Sequence, residues 1–173
     1  MQPSWHKKDP ADMLDIIQIV NDAELDEWAE LIRRSFQTVA DEFKLTVQNA
    51  PTNPAFIEKN QLKRMLMQGI ELFGVSHNLA KIGFVAIEKA TDEKYYLEKL
   101  AVLPEYRHKK FGTSIMDFVF DNVKRRGGKI ISIAIINEHS VLKSWYIQYG
   151  FNITRTKRYE HLPFEVCFLE KIL

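Results

Sequence analysis

The run Tyr106-Arg107-His108-Lys109-Lys110-Phe111-Gly112-Thr113 sets four basic side chains in a row just before a glycine. Leu97-Glu98-Lys99-Leu100-Ala101-Val102-Leu103-Pro104 precedes it, an apolar stretch that the proline closes. After it, Ile115, Met116, Val119, Phe120 and Val123 recur at helical spacing. The basic residues therefore sit in a loop between a strand and the first turn of a helix. The N–H groups of a first helical turn lack partners and carry the positive end of the helix dipole. Such a place suits a phosphate or pyrophosphate. Arg107, His108, Lys109 and Lys110 add charge, and Gly112 lets a ligand approach the backbone closely. A solvated basic turn is the plain alternative.

A second stretch, Asn137-Glu138-His139-Ser140-Val141-Leu142-Lys143-Ser144-Trp145-Tyr146-Ile147-Gln148-Tyr149-Gly150-Phe151, joins a polar loop to a short helix stopped by glycine. Together the two stretches resemble the GNAT family of N-acetyltransferases. The family's coenzyme A motif is Gln/Arg-x-x-Gly-x-Gly/Ala, following a strand that ends in Val-x-Pro. Val102, Pro104, Arg107 and Gly112 match it. Lys110 stands where the first glycine is usual. In the later motif Tyr146 and Gly150-Phe151 match, whereas Asn137 lies two residues further from the tyrosine than is common. His139 occupies the more usual asparagine position and reads as a helix-cap neighbour first, with a base or a coenzyme contact as the alternatives.

The resemblance implies that acetyl-CoA is bound between the strand at 95–103 and the strand at 129–136. Main-chain groups of Leu100, Ala101 and Val102 would meet the pantetheine. Arg107 and the loop His108, Lys109, Lys110, Phe111, Gly112 and Thr113 would hold the pyrophosphate, and Asn137 would be a further contact. Transfer to an amine needs the neutral amine, so something must take a proton from a group with pKa ~10.4. Glu98 is the candidate base, with a water chain as the alternative. Strand alternation puts it on one face with Leu100 and Val102. Tyr146 is the candidate donor to the departing sulfur. A glutamate paired with a cation and a packed core tyrosine are the ordinary alternatives.

The elements that must position these groups read in the order βααβββαβαββ. Strands are predicted over Leu14–Val20, Ile70–Val75, Ala80–Lys89, Tyr95–Leu103, Lys129–Ile136, Phe151–Tyr159 and Phe164–Ile172. Helices are predicted over Ala23–Val39, Ala55–Gln68, Gly112–Arg126 and Ser140–Tyr149, with Asn53-Pro54 as cap and first residue of the second. The fold class is α/β (α+β): a mixed, mostly antiparallel central sheet with helices on both faces, in one domain over 1–173. Residues 1–13 read as a loose lead-in.

The balance of 24 basic and 23 acidic residues argues against a nucleic-acid or membrane partner. The lone Cys167 excludes an internal disulfide and reads as a buried strand residue. His6, His77 and His161 show no metal-ligand spacing, so no metal is expected. The N-terminus has no apolar core, which predicts a cytoplasmic protein. The expected partner is a small-molecule or peptide amine, such as an aminoglycoside-like compound, a peptide N-terminus or a lysine. Phe36–Pro54 is expected to set its selectivity, and Asp41, Glu42 and Glu71 are weak candidates to attract it. Exposed edge strands leave room for a homodimer. Two other classes compete with the enzyme: a non-catalytic acyl-CoA sensor, and a nucleotide binder unrelated to coenzyme A.

Overall fold

The computed structural model describes residues 14–173, so the expected lead-in at 1–13 lies outside the described residues. Seven strands form one sheet in the order β1-β2-β3-β4-β5-β7-β6. They are β1 (Asp15–Ile19), β2 (Glu71–His77), β3 (Ala80–Lys89), β4 (Lys94–Val102), β5 (Ile130–Ile136), β6 (Asn152–Arg158) and β7 (Glu165–Ile172). The helices are α1 (Leu25–Glu42), α2 (Lys59–Met67), α3 (Phe111–Arg125) and α4 (Ser140–Gln148). Among the described residues only β4 and β5 pair in parallel, and α3 makes the crossover between them.

Each sheet face has its own core. Ile115, Met116, Val119 and Val123 of α3 and Tyr146 of α4 pack on Leu97, Ile131, Ile133, Cys167 and Leu169. On the opposite face, Leu25, Trp28 and Ile32 of α1 and Leu62 and Met65 of α2 pack on Leu72, Phe84, Ala86, Ala101 and Leu103. Gly74 lets α1 dock. A Cβ there would stand 2.3 Å from the Trp28 ring. Cys167 is buried, as its strand position suggested.

The second helix departs from expectation. Asn53 does cap, accepting from the Ala55 N–H at 2.9 Å with Pro54 first in line. That start ends after one 3-10 turn, Pro54–Phe56. Ile57 turns extended, buries its side chain and gives its carbonyl to Arg33 at 2.7 Å. Glu58 and Gln61 then form a capping box that starts α2 afresh.

Candidate functional site

β4 and β5 pair only through Lys94–Tyr96 and Ile130–Ser132. Beyond those residues the strands part. From Leu97 to Val102 one edge of β4 has no strand across from it. The opening is a cleft of about 550 Å³, within the ordinary range for small-molecule sites. Leu97 to Leu100 form one wall and Ile133 to Ile136 the other.

A β-bulge shapes the β4 wall. Ala86 pairs with Glu98 and Phe84 with Ala101, so one extra residue of β4 is accommodated between them. Lys99 takes it up at φ 53°. The bulge corrects the expectation that Glu98 shares a face with Leu100 and Val102. The inserted residue resets the alternation. Leu100 and Val102 pack toward α3, whereas Glu98, opposite Ala86, looks to the α1 face with Ala101 and Leu103. Glu98 is half-buried and pairs with Lys99 Nζ at 2.9 Å.

Tyr146 approaches the cleft from the other side. α4 carries it on the α3 face, where its ring packs edge-on against Phe151 and Trp145. Burial drives its hydroxyl well above the usual tyrosine value. The phenol therefore stays protonated at any working pH. The cleft thus has a carboxylate on one sheet face and a phenol on the other.

The loop before α3 lies at the end of β4. His108 and Lys110 adopt left-handed conformations, φ 61° and 65°. Lys110, in the position where glycine was expected, does take the conformation glycine favours. Alternating left- and right-handed residues turn successive N–H groups into one concavity. Among the described residues, the N–H groups of 108–113 meet no protein acceptor. His108, Lys109 and Lys110 are exposed around them. A Cβ at Gly112 would meet Trp145 at an ordinary 3.5 Å, so the fold alone does not require glycine there.

Two residues are committed differently from what their types suggested. The Arg107 guanidinium turns inward. It donates to the Val102 carbonyl at 3.1 Å, to Thr38 Oγ1 at 2.9 Å and to the Ser35 carbonyl at 2.5 Å. It clamps the loop to α1, and Glu105 adds an ion pair with Arg34 at 2.8 Å. The Asn137 side chain donates to Glu165 at 2.7 Å and accepts from Lys143 at 2.6 Å, joining β5, β7 and α4. His139 caps α4, accepting from the Leu142 N–H at 3.4 Å. Glu71 is held by Arg126 and Gln18, and Asp41 by Gln37.

Further cleft walls come from Phe36 and Val39 of α1, from Asn53 after it, and from Leu162 and Phe164 between β6 and β7. Phe36 and Asn53 belong to the segment expected to set selectivity. Leu162 and Phe164 escaped sequence reasoning, because nothing local marks a β-turn as facing a cleft some 60 residues upstream.

Residues 39–163 match the family model of the acetyltransferase (GNAT) domain. The chain belongs to the GNAT acetyltransferase family. Solved structures agree on the fold. The PaiA N-acetyltransferase of Thermoplasma acidophilum, solved with coenzyme A, superposes with TM-score 0.78 at 20% identity, covering 93% of this chain and 99% of that one. The ribosomal-protein-S18-alanine N-acetyltransferase of Escherichia coli gives 0.73 at 13% identity, over 92% and 94%. A GNAT acetyltransferase of Elizabethkingia anophelis with acetyl-CoA bound gives 0.65 at 15%, over 94% and 99%. No curated protein matches by sequence. No helix among the described residues is long and apolar enough to cross a membrane.

Proposed function

We propose that this GNAT protein moves the acetyl group of acetyl-CoA to a primary amine by direct attack, both substrates being bound at once. One observation supports this above all: a single cleft has Glu98 on one sheet face and Tyr146 on the other, and the acceptor-free N–H cradle stands at the end of one wall. Acetyl-CoA supplies an activated thioester. The N–H groups of 108–113, with His108, Lys109 and Lys110 around them, fit its pyrophosphate. The unpaired β4 edge at Leu100, Ala101 and Val102 fits the pantetheine amides, although the Val102 carbonyl is already shared with Arg107. Arg107 and Asn137 serve by holding the loop and the β5 end in place.

Glu98 takes the proton from the arriving ammonium on the α1 side. Tyr146 hydrogen-bonds the departing sulfur from the α4 side. A buried phenol is a weaker acid than a thiol, so its contribution is positioning and charge stabilisation more than free proton transfer. Phe36, Val39, Leu162 and Phe164 give the acceptor an apolar approach, which suits a small-molecule or peptide amine.

Thermal denaturation with acetyl-CoA, CoA, ATP and buffer tests the binding. At a ligand concentration ~100 times Kd, native-state binding adds about 2.7 kcal/mol, a rise in Tm of about 5–10 °C for a chain this size. Acetyl-CoA and CoA are expected to raise Tm selectively. An equal rise with ATP, or none at millimolar acetyl-CoA, refutes the assignment. Thiol release in the presence of primary amines then separates an enzyme from a binding module without turnover.

A further inference from the structure

Glu88 has no part in the site so far. Its place in β3 brings it there. Across the β3–β4 ladder Ala86 pairs with Glu98 and Glu88 with Tyr96. Alternation sets Glu88, Tyr96 and Glu98 on one face, the one that α1 and α2 cover at Phe84, Ala86 and Ala101. Glu88 is half-buried at the margin of that cover. Among the described residues its carboxylate joins no ion pair, whereas Lys89 holds Asp92, Lys94 holds Glu170 and Lys99 holds Glu98.

A second cavity, of about 210 Å³, opens on this same face. Tyr96, Ser132, Thr154, Arg155 and Glu170 are among its walls. It shares Leu97, Glu98, Ile133 and Ala134 with the cleft. Glu98 therefore stands between the cleft and a polar pocket with room for several water molecules at ~30 Å³ each.

We infer that Glu88 is a positioning residue that shares with Glu98 the proton taken from the amine, and that this second cavity is the proton's way out to water. The inference rests on the reading of Glu98 as the base. In balance, the ammonium gives one proton to a Glu98 oxygen and keeps its electron pair for attack. Glu88 shares that proton across the ladder, and it leaves from Glu98, which lines the second cavity, for water or buffer base there, so that Glu98 is a carboxylate again. Two half-buried carboxylates on one face, one of them paired with Lys99, repel each other when both are charged, and a shared proton relieves that repulsion. The charges felt at Glu88 fit this: its carboxyl is pushed up by burial first and by the Glu98 charge next, and Lys99 opposes. Of the other charged groups on this face, Lys94 is neutralised by Glu170, and the Arg155 guanidinium lies 4.2 Å above the Phe168 ring.

The test is a carboxyl-carbon NMR titration of the whole chain, which needs no acceptor. It is joined to the pH profile of thiol release from acetyl-CoA with phenethylamine as the probe amine. The Glu88 and Glu98 signals are expected to titrate together in two shared steps. In Glu88→Gln the two shared steps should collapse to one, the acid limb of kcat/KM should move down, and kcat should fall roughly three- to tenfold. Glu88→Asp should restore the paired titration, and Glu88→Ser gives the same reading as the glutamine variant if that variant folds poorly. Two independent single-step titrations overturn the inference. So does an acid limb in Glu88→Gln that coincides with wild type while Glu98→Gln is inactive. Undiminished thiol release by Glu98→Gln removes the base itself, and the inference falls with it.

Discussion

Lys110 carries a penalty that glycine would not. At φ 65° and ψ 7° its Cβ crowds the following carbonyl, at a cost of about 1–2 kcal/mol. Lys110→Gly removes that cost, and the freer unfolded chain takes back about 0.4–1 kcal/mol. Among the described residues the Lys110 ammonium forms no ion pair and caps no helix end, so its loss costs the fold little. The net expectation is a gain of about 0.5–1 kcal/mol, read as a Tm about 1–4 °C higher for this chain length. Binding moves the opposite way. An exposed ammonium beside a phosphate contributes about 0.5–1 kcal/mol, so coenzyme A should bind about two- to fivefold more weakly. The difference should shrink in high salt. Lys110→Ala separates the two effects, because it keeps the strained backbone and loses the charge. Its Tm should stay near wild type while its affinity falls as in the glycine variant. Melting curves and calorimetric titration with coenzyme A read both. A lower Tm for Lys110→Gly, or unchanged affinity in both variants, refutes the reasoning.

Tyr146→Phe keeps the ring between Trp145 and Phe151, so Tm should hold within about 2 °C while thiol release falls at least tenfold with little change in KM for acetyl-CoA. Because burial keeps the Tyr146 hydroxyl protonated, no alkaline limb from this residue should appear in the wild-type rate profile up to pH 10. Arg107→Ala breaks the clamp on Val102, Ser35 and Thr38 and should lower stability by about 2–3 kcal/mol in denaturant melts. Arg107→Lys should not restore it, since one ammonium cannot reproduce the fork. Gly74→Ala drives a methyl into the Trp28 ring and should cost about 1–3 kcal/mol or more by the same measurement.

Element order and the two-faced layering were legible because they depend on local periodicity and turn chemistry. Ile115, Met116, Val119 and Val123 announce an amphipathic helix, and all are fully buried. The place of the basic loop between β4 and α3 was legible for the same reason, since a basic loop entering a helix is a local pattern. The α2 start could have been read from Glu58 and Gln61, but the Asn53-Pro54 cap signal drew the boundary five residues early. What stayed hidden depends on distant partners. Lys99 is an unremarkable strand residue by type, and only the β3 register shows that it bulges and turns Glu98 to the other face. Arg107 reads as a phosphate ligand until α1 supplies Ser35 and Thr38, some 70 residues away in sequence, as its acceptors. Asn137 likewise finds Glu165 28 residues downstream.

The short parallel pairing has a mechanical side. Every other junction in the sheet is laced along most of its strand length, but β4 and β5 are joined at three positions. Leu97, Ile131 and Ile133 hold that seam by side-chain burial rather than by a ladder. The two halves of the sheet can therefore breathe against each other without breaking either half's own hydrogen bonds. A molecule that bonds to the β4 edge and fills the opening as far as Ile133 to Ile136 acts as a staple across the seam. Amide hydrogen exchange should register this as slower exchange at Leu100 to Val102 and Ala134 to Ile136 once coenzyme A is added. The outer pairs β1–β2 and β6–β7 should keep their rates.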